Sequence, residues 1–368
     1  MKKIIAYFPF PLVKKPVSGS QVRPVRMIEA LQIYCEENGY ELLLLAGESR
    51  KRKQIIKQWE RDGIFSNVVA CYGENQTIPL WLTDSNHIPK APLVDWKFFR
   101  LLHQYKIPFG FFYRDVNWKF EELFGLRGMR HFVLKQLYQL EERLLNRYVD
   151  TCFLPSPEMA NYVHIGKTKS ALPPGAKAAP ERSDSIETDI PHAIYVGGIS
   201  PRYGIELLLD SFHRLNQQTV VCRLILVCRS HEFEASSSQV KEKMKAPFIE
   251  VVHASGDALQ NYYHRANFAI IPILNNEYNS FAIPVKLFEY MSYGLPIVAT
   301  NLLAQARIIQ EEQIGILAID RPESFSEALA EMTETYPHFI PYVQKAFTKH
   351  TWEERARIAM NLLIQKDR

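Results

Sequence analysis

The chain has little of what would name a compartment or a chemistry. Its 368 residues hold five cysteines, Cys35, Cys71, Cys152, Cys222 and Cys228, odd in number, scattered and mostly set in apolar runs. That excludes a disulfide framework and metal-ligand spacing, and reads as buried free thiols of a reducing compartment. No stretch of about 18 apolar residues occurs, so no membrane-spanning helix is expected. The opening MKKIIAYFPFPL is too short and proline-broken for a secretory leader. No strand leads into G-x-G-x-x-G, which removes the nicotinamide-dinucleotide fingerprint. Aspartate-any-aspartate, internal repeats and low-complexity tracts are also missing. A cytoplasmic protein with no resident metal, no cofactor and no nucleic-acid partner is the expectation.

What is present is enough apolar residue, 47%, to fill two cores of ordinary size. Strand and helix patterns alternate, the mark of an α/β fold with open parallel sheets covered on both faces. Lys2–Phe8 reads as a first strand, Arg23–Asn38 as a helix, Glu41–Ala46 as a second strand and Ile107–Phe112 as a later one. Phe132–Arg147 is a long helix by its three- and four-residue apolar spacing, and Thr151–Leu154 a strand. Pro173, Pro174, Gly175 and Pro180 mark an interdomain linker. Residues 1–170 hold 25 lysines and arginines against 17 acidic residues, the remainder 19 against 23. The clusters Arg50, Lys51, Arg52, Lys53 and Arg127, Arg130, Lys135 beside Phe124, Leu126, Met129 and Phe132 fit an anionic membrane face, and equally a solvated helix surface.

The densest signal is PVKLFEYMSYGLPIVAT, Pro284–Thr300. Lys286 and Glu289 share one face near the start of an apolar helix, with Val285, Leu287, Phe288 and Met291 toward the core. Gly294 ends the helix, Pro296 blocks its continuation, and Ile297–Ala299 reads as a central strand. Free backbone N–H groups at a helix start, a lysine for phosphate and a carboxylate for sugar hydroxyls are the elements of a nucleotide-diphosphate site. Upstream, AIYVGG ends in Gly197 and Gly198, and Arg202, Tyr203 and Gly204 precede the apolar helix GIELLLDSFHRL.

These segments resemble the donor half of GT-B glycosyltransferases, in particular the retaining bacterial family that builds surface polysaccharides (glycosyltransferase group 1, family 4-like). Pro284, Lys286, Glu289, Tyr290, Gly294 and Pro296 fall where that family's donor helix has them. Strands at Cys222–Val227, Phe248–His253 and FAIIPI, a helix at Leu259–Ala266 and a final helix opening at Trp352 follow its order. The resemblance implies two Rossmann-like domains facing across a cleft: residues 1–172 for the acceptor, a linker 173–190, residues 191–350 for the donor, and a helix 351–368 returning to the first domain. It implies hexosyl transfer from a UDP-, GDP- or dTDP-sugar to a saccharide or lipid-linked oligosaccharide, metal-independent and retaining, at the inner membrane face.

By that resemblance Glu289 binds the ribose, Lys286 and Arg202 meet the diphosphate and stabilise its departure, and Gly197 and Gly198 let it approach the backbone. Ser280, Phe281 and Ala282, with Asn279, present N–H groups to the phosphate or hexose, and His253 lies near the base. Two positions depart from the pattern: the first glutamate of the commoner motif is Phe281, and a usual lysine is Tyr203. In the first half, Ser18, Gly19, Ser20 and Arg23 form a loop and helix start suited to the acceptor. Arg114 and Asp115 follow a strand at its carboxyl edge, where Asp115 can orient or deprotonate an acceptor hydroxyl and the two can equally form a structural ion pair. A non-catalytic partner subunit and a sugar-nucleotide epimerase of the same fold are the alternatives.

Overall fold

The computed structural model describes residues 1–13, 19–125, 128–180 and 189–364. The chain folds into two compact units, Met1–Pro174 with Trp352–Arg368, and Gly175–Thr351.

Unit 1 is built on a six-stranded parallel sheet, β1 (Lys3–Phe8), β2 (Glu41–Ala46), β3 (Val68–Glu74), β4 (Phe109–Phe112), β5 (Thr151–Leu154) and β6 (Thr168–Ala171). Their order is β2-β1-β3-β4-β5-β6. β1 and β3 to β5 are almost wholly buried, as parallel strands covered on both faces must be. One face carries the helices Gly19–Asn38 and Trp352–Ile364: Met27, Leu31, Trp352, Ala356, Met360 and Leu363 share a core with Phe8, Tyr72, Phe112 and Phe153. Gly110 lets the returning helix come close, because a Cβ there would meet Leu363 at 2.9 Å and Phe153 at 2.6 Å. The long helix is Gly128–Tyr148, and the first helix starts at Gly19, four residues before its expected start.

Unit 2 has β7 (His192–Val196), β8 (Arg223–Val227), β9 (Ile249–Val252), β10 (Phe268–Ile271), β11 (Ile297–Thr300) and β12 (Gly315–Ala318), in the order β12-β11-β10-β7-β8-β9. The order reverses between β7 and β10, and in unit 1 between β1 and β3. Ligands of such sheets bind beyond the carboxyl ends of the strands at the reversal.

The expected linker is partly structure. Leu172 is fully buried and bonds back to Leu154, and Ala176 pairs with Thr351. The carbonyls of Pro173 and Pro174 accept from Arg355 at 3.0 and 3.2 Å. Residues 181–188 of that linker lie outside the described residues, as do Ser18, Leu126 and Arg127.

Candidate functional site

In unit 2 the loops after β7 and β10 meet at the reversal point. Gly204, at φ +75°, sits so close to Pro272 that a Cβ would land on its carbonyl oxygen. Only glycine combines that conformation with that approach. The helix Val285–Ser292 begins beyond the β10 loop with Pro284 as its N-terminal cap residue and no side-chain cap. Leu287 N–H donates to the Pro284 carbonyl at 3.1 Å, which leaves Val285 and Lys286 to present the first N–H groups of the helix. Gly294, at φ +68°, and Leu295 close the far end by donating to Met291 and Tyr290, a left-handed glycine cap. Leu287, Phe288, Tyr290 and Met291 are buried, and the Tyr290 hydroxyl accepts from Val196 N–H at 3.0 Å, fixing the helix to the end of β7.

On the open side of this helix Lys286 and Glu289 do share a face. Nζ lies 2.7 Å from Oε2, and each side chain is 31% exposed. Glu289 is thus half-buried rather than buried as a bare carboxylate would be, and it is partnered twice. Tyr263, on the helix Gln260–Arg265, donates its hydroxyl to Oε1 at 2.8 Å, and Lys286 donates to that hydroxyl at 3.1 Å. Burial, followed by the Glu289 charge, holds the Tyr263 phenol well above its ordinary pKa, so it remains a donor. Tyr263 carries no sequence signal of its own, since its partners lie 26 and 23 residues away.

The glycine loop is engaged more fully than its composition suggests. Gly197 N–H donates to Val227 and Ile199 N–H to Glu232 Oε2, at 3.1 Å each. The space that a Cβ would take at Gly197 is filled by the Tyr195 hydroxyl at 2.7 Å, and at Gly198 by the Tyr203 ring at 2.5 Å. The small residues thus make room for two tyrosines. Arg202 is exposed in the turn Pro201–Tyr203, its guanidinium carbon 5.1 Å from the centre of the Tyr203 ring. His253 follows β9 directly and lies 3.1 Å from the Cys228 carbonyl oxygen through Nδ1.

The loop expected at Asn279–Ala282 is corrected in its structure. Phe281 is 3% exposed and packs edge-on to Tyr278 at 5.2 Å, so its ring belongs to the core and offers nothing to a hexose. The N–H groups of Asn279 and Ser280 are spent on Asn276, because the segment folds into the short helix Glu277–Phe281 instead of an open loop. Ala282 follows that helix in extended backbone.

In unit 1 the two arginines expected at the acceptor, Arg23 and Arg114, turn inward. Arg23 is 5% exposed, lies 3.4 Å above the Phe112 ring, and donates to Glu74 Oε1 at 3.2 Å, to the Leu172 carbonyl at 3.3 Å and to the Tyr72 hydroxyl at 3.4 Å. Arg114 pairs with the other oxygen of the same Glu74, at 3.3 Å. Burial pulls the Arg114 pKa down, and Glu74 opposes it. Both arginines are therefore scaffold: they neutralise a fully buried carboxylate at the carboxyl end of β3. Asp115 is half-buried and accepts from Asn117 N–H at 2.9 Å, shaping the turn after β4. Gly19 and Ser20 open the first helix. The basic run at Arg50–Lys53 is also split, because Arg52 is fully buried against Asp95 while its neighbours are exposed. Among the described residues no group of three or more His, Cys, Asp or Glu side chains is placed to hold a metal ion.

Two parallel α/β sheets of these orders, with the last helix returned to the first, define a GT-B protein. The comparisons agree across the whole length. Sucrose-phosphate synthase from Thermosynechococcus elongatus matches 100% of this chain and 99% of its own at 14% identity and a TM-score of 0.66. WaaG, a glycosyltransferase involved in lipopolysaccharide biosynthesis, matches 99% of each chain at 14% identity and 0.58. Anabaena HepE in complex with UDP and glucose matches 100% of this chain and 99% of its own at 11% identity and 0.59. No curated protein sequence matches this chain. Residues 190–335, all within unit 2, match the family model Glycosyl transferases group 1, and the chain as a whole has the fold of GT-B glycosyltransferases.

Proposed function

We propose that unit 2 binds a nucleotide sugar, with UDP, GDP or dTDP as its carrier, and that the hexosyl group passes to a hydroxyl of a saccharide acceptor on unit 1. The observation that carries this reading is the Lys286–Glu289–Tyr263 constellation at the strand-order reversal of unit 2, beside an uncapped helix start. Glu289 takes the ribose, through both hydroxyls of UDP or GDP and through the single 3′-hydroxyl of dTDP. Lys286, exposed Arg202 and the helix N–H groups take the diphosphate and stabilise the charge that grows on it as the glycosidic bond breaks. The reading needs no resident metal or cofactor, and retention of configuration comes with the family resemblance.

The acceptor is a lipid-linked oligosaccharide of bacterial surface polysaccharide, and the protein works at the inner face of the membrane. This is supported by the helix Gly128–Tyr148, where Met129, Phe132, Val133 and Leu140 are 76, 58, 48 and 48% exposed and lie on one side with Arg143 and Arg147. An apolar face flanked by arginines suits an anionic bilayer surface. No helix among the described residues is long and apolar enough to cross a membrane.

The test is nucleoside diphosphate release from a panel of sugar nucleotides, with and without lipid-linked acceptor, paired with nucleotide binding. Glu289→Ala and Lys286→Ala each lose a charge-assisted contact of about 1.5–3 kcal/mol and weaken nucleotide binding about 10- to 100-fold. Asp115→Ala retains binding and lowers turnover. Equal turnover in all three variants refutes the assignment, and conversion of donor without acceptor would mark an epimerase.

A further inference from the structure

A carboxylate that must meet two ribose hydroxyls at once needs its plane fixed, and a glutamate on an open helix face has three side-chain torsions to lose in doing so. Glu289 is held by two contacts of different kinds. One is Lys286, at 2.7 Å from Oε2, on the same helix and on a flexible four-carbon stem. The other is the Tyr263 hydroxyl at 2.8 Å from Oε1, carried by a side chain that is 1% exposed. The Tyr263 ring stacks on Tyr293 with centroids 4.3 Å apart at 29°, and meets Tyr290 edge-on at 6.0 Å. Tyr290 is in turn bonded to Val196. The hydroxyl is therefore anchored to the sheet through two rings, whereas the lysine ends on Glu289 and on that same hydroxyl, at 2.7 and 3.1 Å, at the tip of a flexible stem.

These two contacts respond differently to a ligand. Lys286 is a mobile cation 31% exposed beside an uncapped helix start, and an entering diphosphate, with more negative charge than one carboxylate, draws it away from Glu289. We infer that Tyr263 is the positioning residue of the nucleotide site: it holds Glu289 in the orientation that receives the ribose diol after Lys286 has moved to the diphosphate. This rests on the nucleotide-sugar reading of unit 2 given above. It adds a residue from outside the donor helix and a change of partner for the lysine.

Tyr263→Phe keeps both ring contacts and removes only the hydroxyl. The probes are UDP, GDP and ADP, each beside its 2′,3′-dideoxy counterpart, and inorganic pyrophosphate, read by calorimetry or thermal shift. In Tyr263→Phe the preferred nucleotide binds about 5- to 10-fold more weakly, as for one lost hydrogen bond. Its preference for the ribose over the dideoxy form falls by the same factor, pyrophosphate binding is unchanged, and the melting temperature stays within about 2 °C. In turnover KM rises while kcat holds, and on a Glu289→Ala background the substitution adds nothing. An unchanged ribose preference in Tyr263→Phe, or an equal loss for pyrophosphate, overturns the proposal while leaving the nucleotide site standing. A ribose preference that survives Glu289→Ala removes the nucleotide reading of Glu289 and the role of Tyr263 together.

Discussion

The two units spend their charged residues in opposite ways. Every buried charged residue among the described ones, Arg23, Arg52, Glu74, Asp84, Asp95, Glu141 and Arg355, lies in unit 1, whereas the buried polar residues of unit 2, Ser211, Asn216, Thr300, Gln305 and Ser326, are all uncharged. Unit 2 keeps Arg202 exposed and Lys286 and Glu289 half-exposed at its strand reversal, where an anion can reach them. A buried ion pair costs desolvation that only good geometry offsets, so it ties elements together at little net gain and is destructive to break. A half-exposed pair contributes little to folding and stays available for exchange with a ligand. Charge in unit 1 holds the scaffold, and charge in unit 2 lies exposed or part-exposed where the proposed nucleotide would meet it.

The sharpest way to break this comparison is to remove one partner from a buried pair. Asp95 receives two bonds of 3.0 Å from Arg52 and one of 2.6 Å from Tyr7, and is 3% exposed. Asp95→Ala leaves the Arg52 guanidinium buried without its carboxylate and costs about 3–5 kcal/mol. Hydrogen exchange read by mass spectrometry will show the loss of protection in unit 1, with unit 2 unchanged. A uniform loss over both units, or none, contradicts the division of labour.

A second, smaller effect comes from Glu141 on the helix Gly128–Tyr148. It accepts from Leu80 N–H at 2.7 Å and from Asn75 Nδ2 at 3.2 Å, and it is wholly buried. Burial pushes its carboxyl up to about 8, more than those two hydrogen bonds pull it down. The folded protein then keeps a proton that the unfolded chain releases above its ordinary value of 4.5. The contribution of Glu141 is therefore fully favourable below about pH 4.5, falls as pH rises toward 8, and is flat beyond, with a slope of at most about 1.4 kcal/mol per pH unit. Protection of unit 1 measured from pH 5 to 8 should decline accordingly, and Glu141→Leu should flatten the decline. A decline that persists in that variant assigns it to another group.

How much of this was legible in the sequence follows from the same contrast. The donor helix could be read because its determinants are local: Pro284 at the start, a charged pair three residues apart, and Gly294 with its left-handed turn at the end. The alternation of strand and helix likewise gave both sheets, since buried parallel strands announce themselves as apolar runs. What a single chain does not write down is which way a charged residue faces. Arg23 and Arg114 sit at loop and strand ends where ligand contacts are common, yet their shared partner Glu74 lies 51 and 40 residues away, and that distant carboxylate draws them inward. The open loop expected at Asn279–Ala282 gave way for a related reason, because the segment closes into a helix capped by Asn276 and turns the Phe281 ring to the core.

The smallest effect on folding is expected of the pair proposed to bind the nucleotide. Lys286 and Glu289 are partners at i and i+3 with about a third of each side chain exposed, a geometry worth under about 1 kcal/mol to stability. Lys286→Met keeps the apolar stem over the Tyr263 ring, from whose centre Nζ lies 5.8 Å, and removes only the charge. Its melting temperature should therefore stay within about 2 °C of the parent, and its protection in unit 2 should be unaltered, while nucleotide affinity falls as in Lys286→Ala. Were Lys286→Met to destabilise unit 2 as Asp95→Ala destabilises unit 1, the lysine would be scaffold too. The contrast between structural charge in one unit and binding charge in the other would then collapse, because a side chain that the fold needs in place is not one that can leave its carboxylate for a diphosphate.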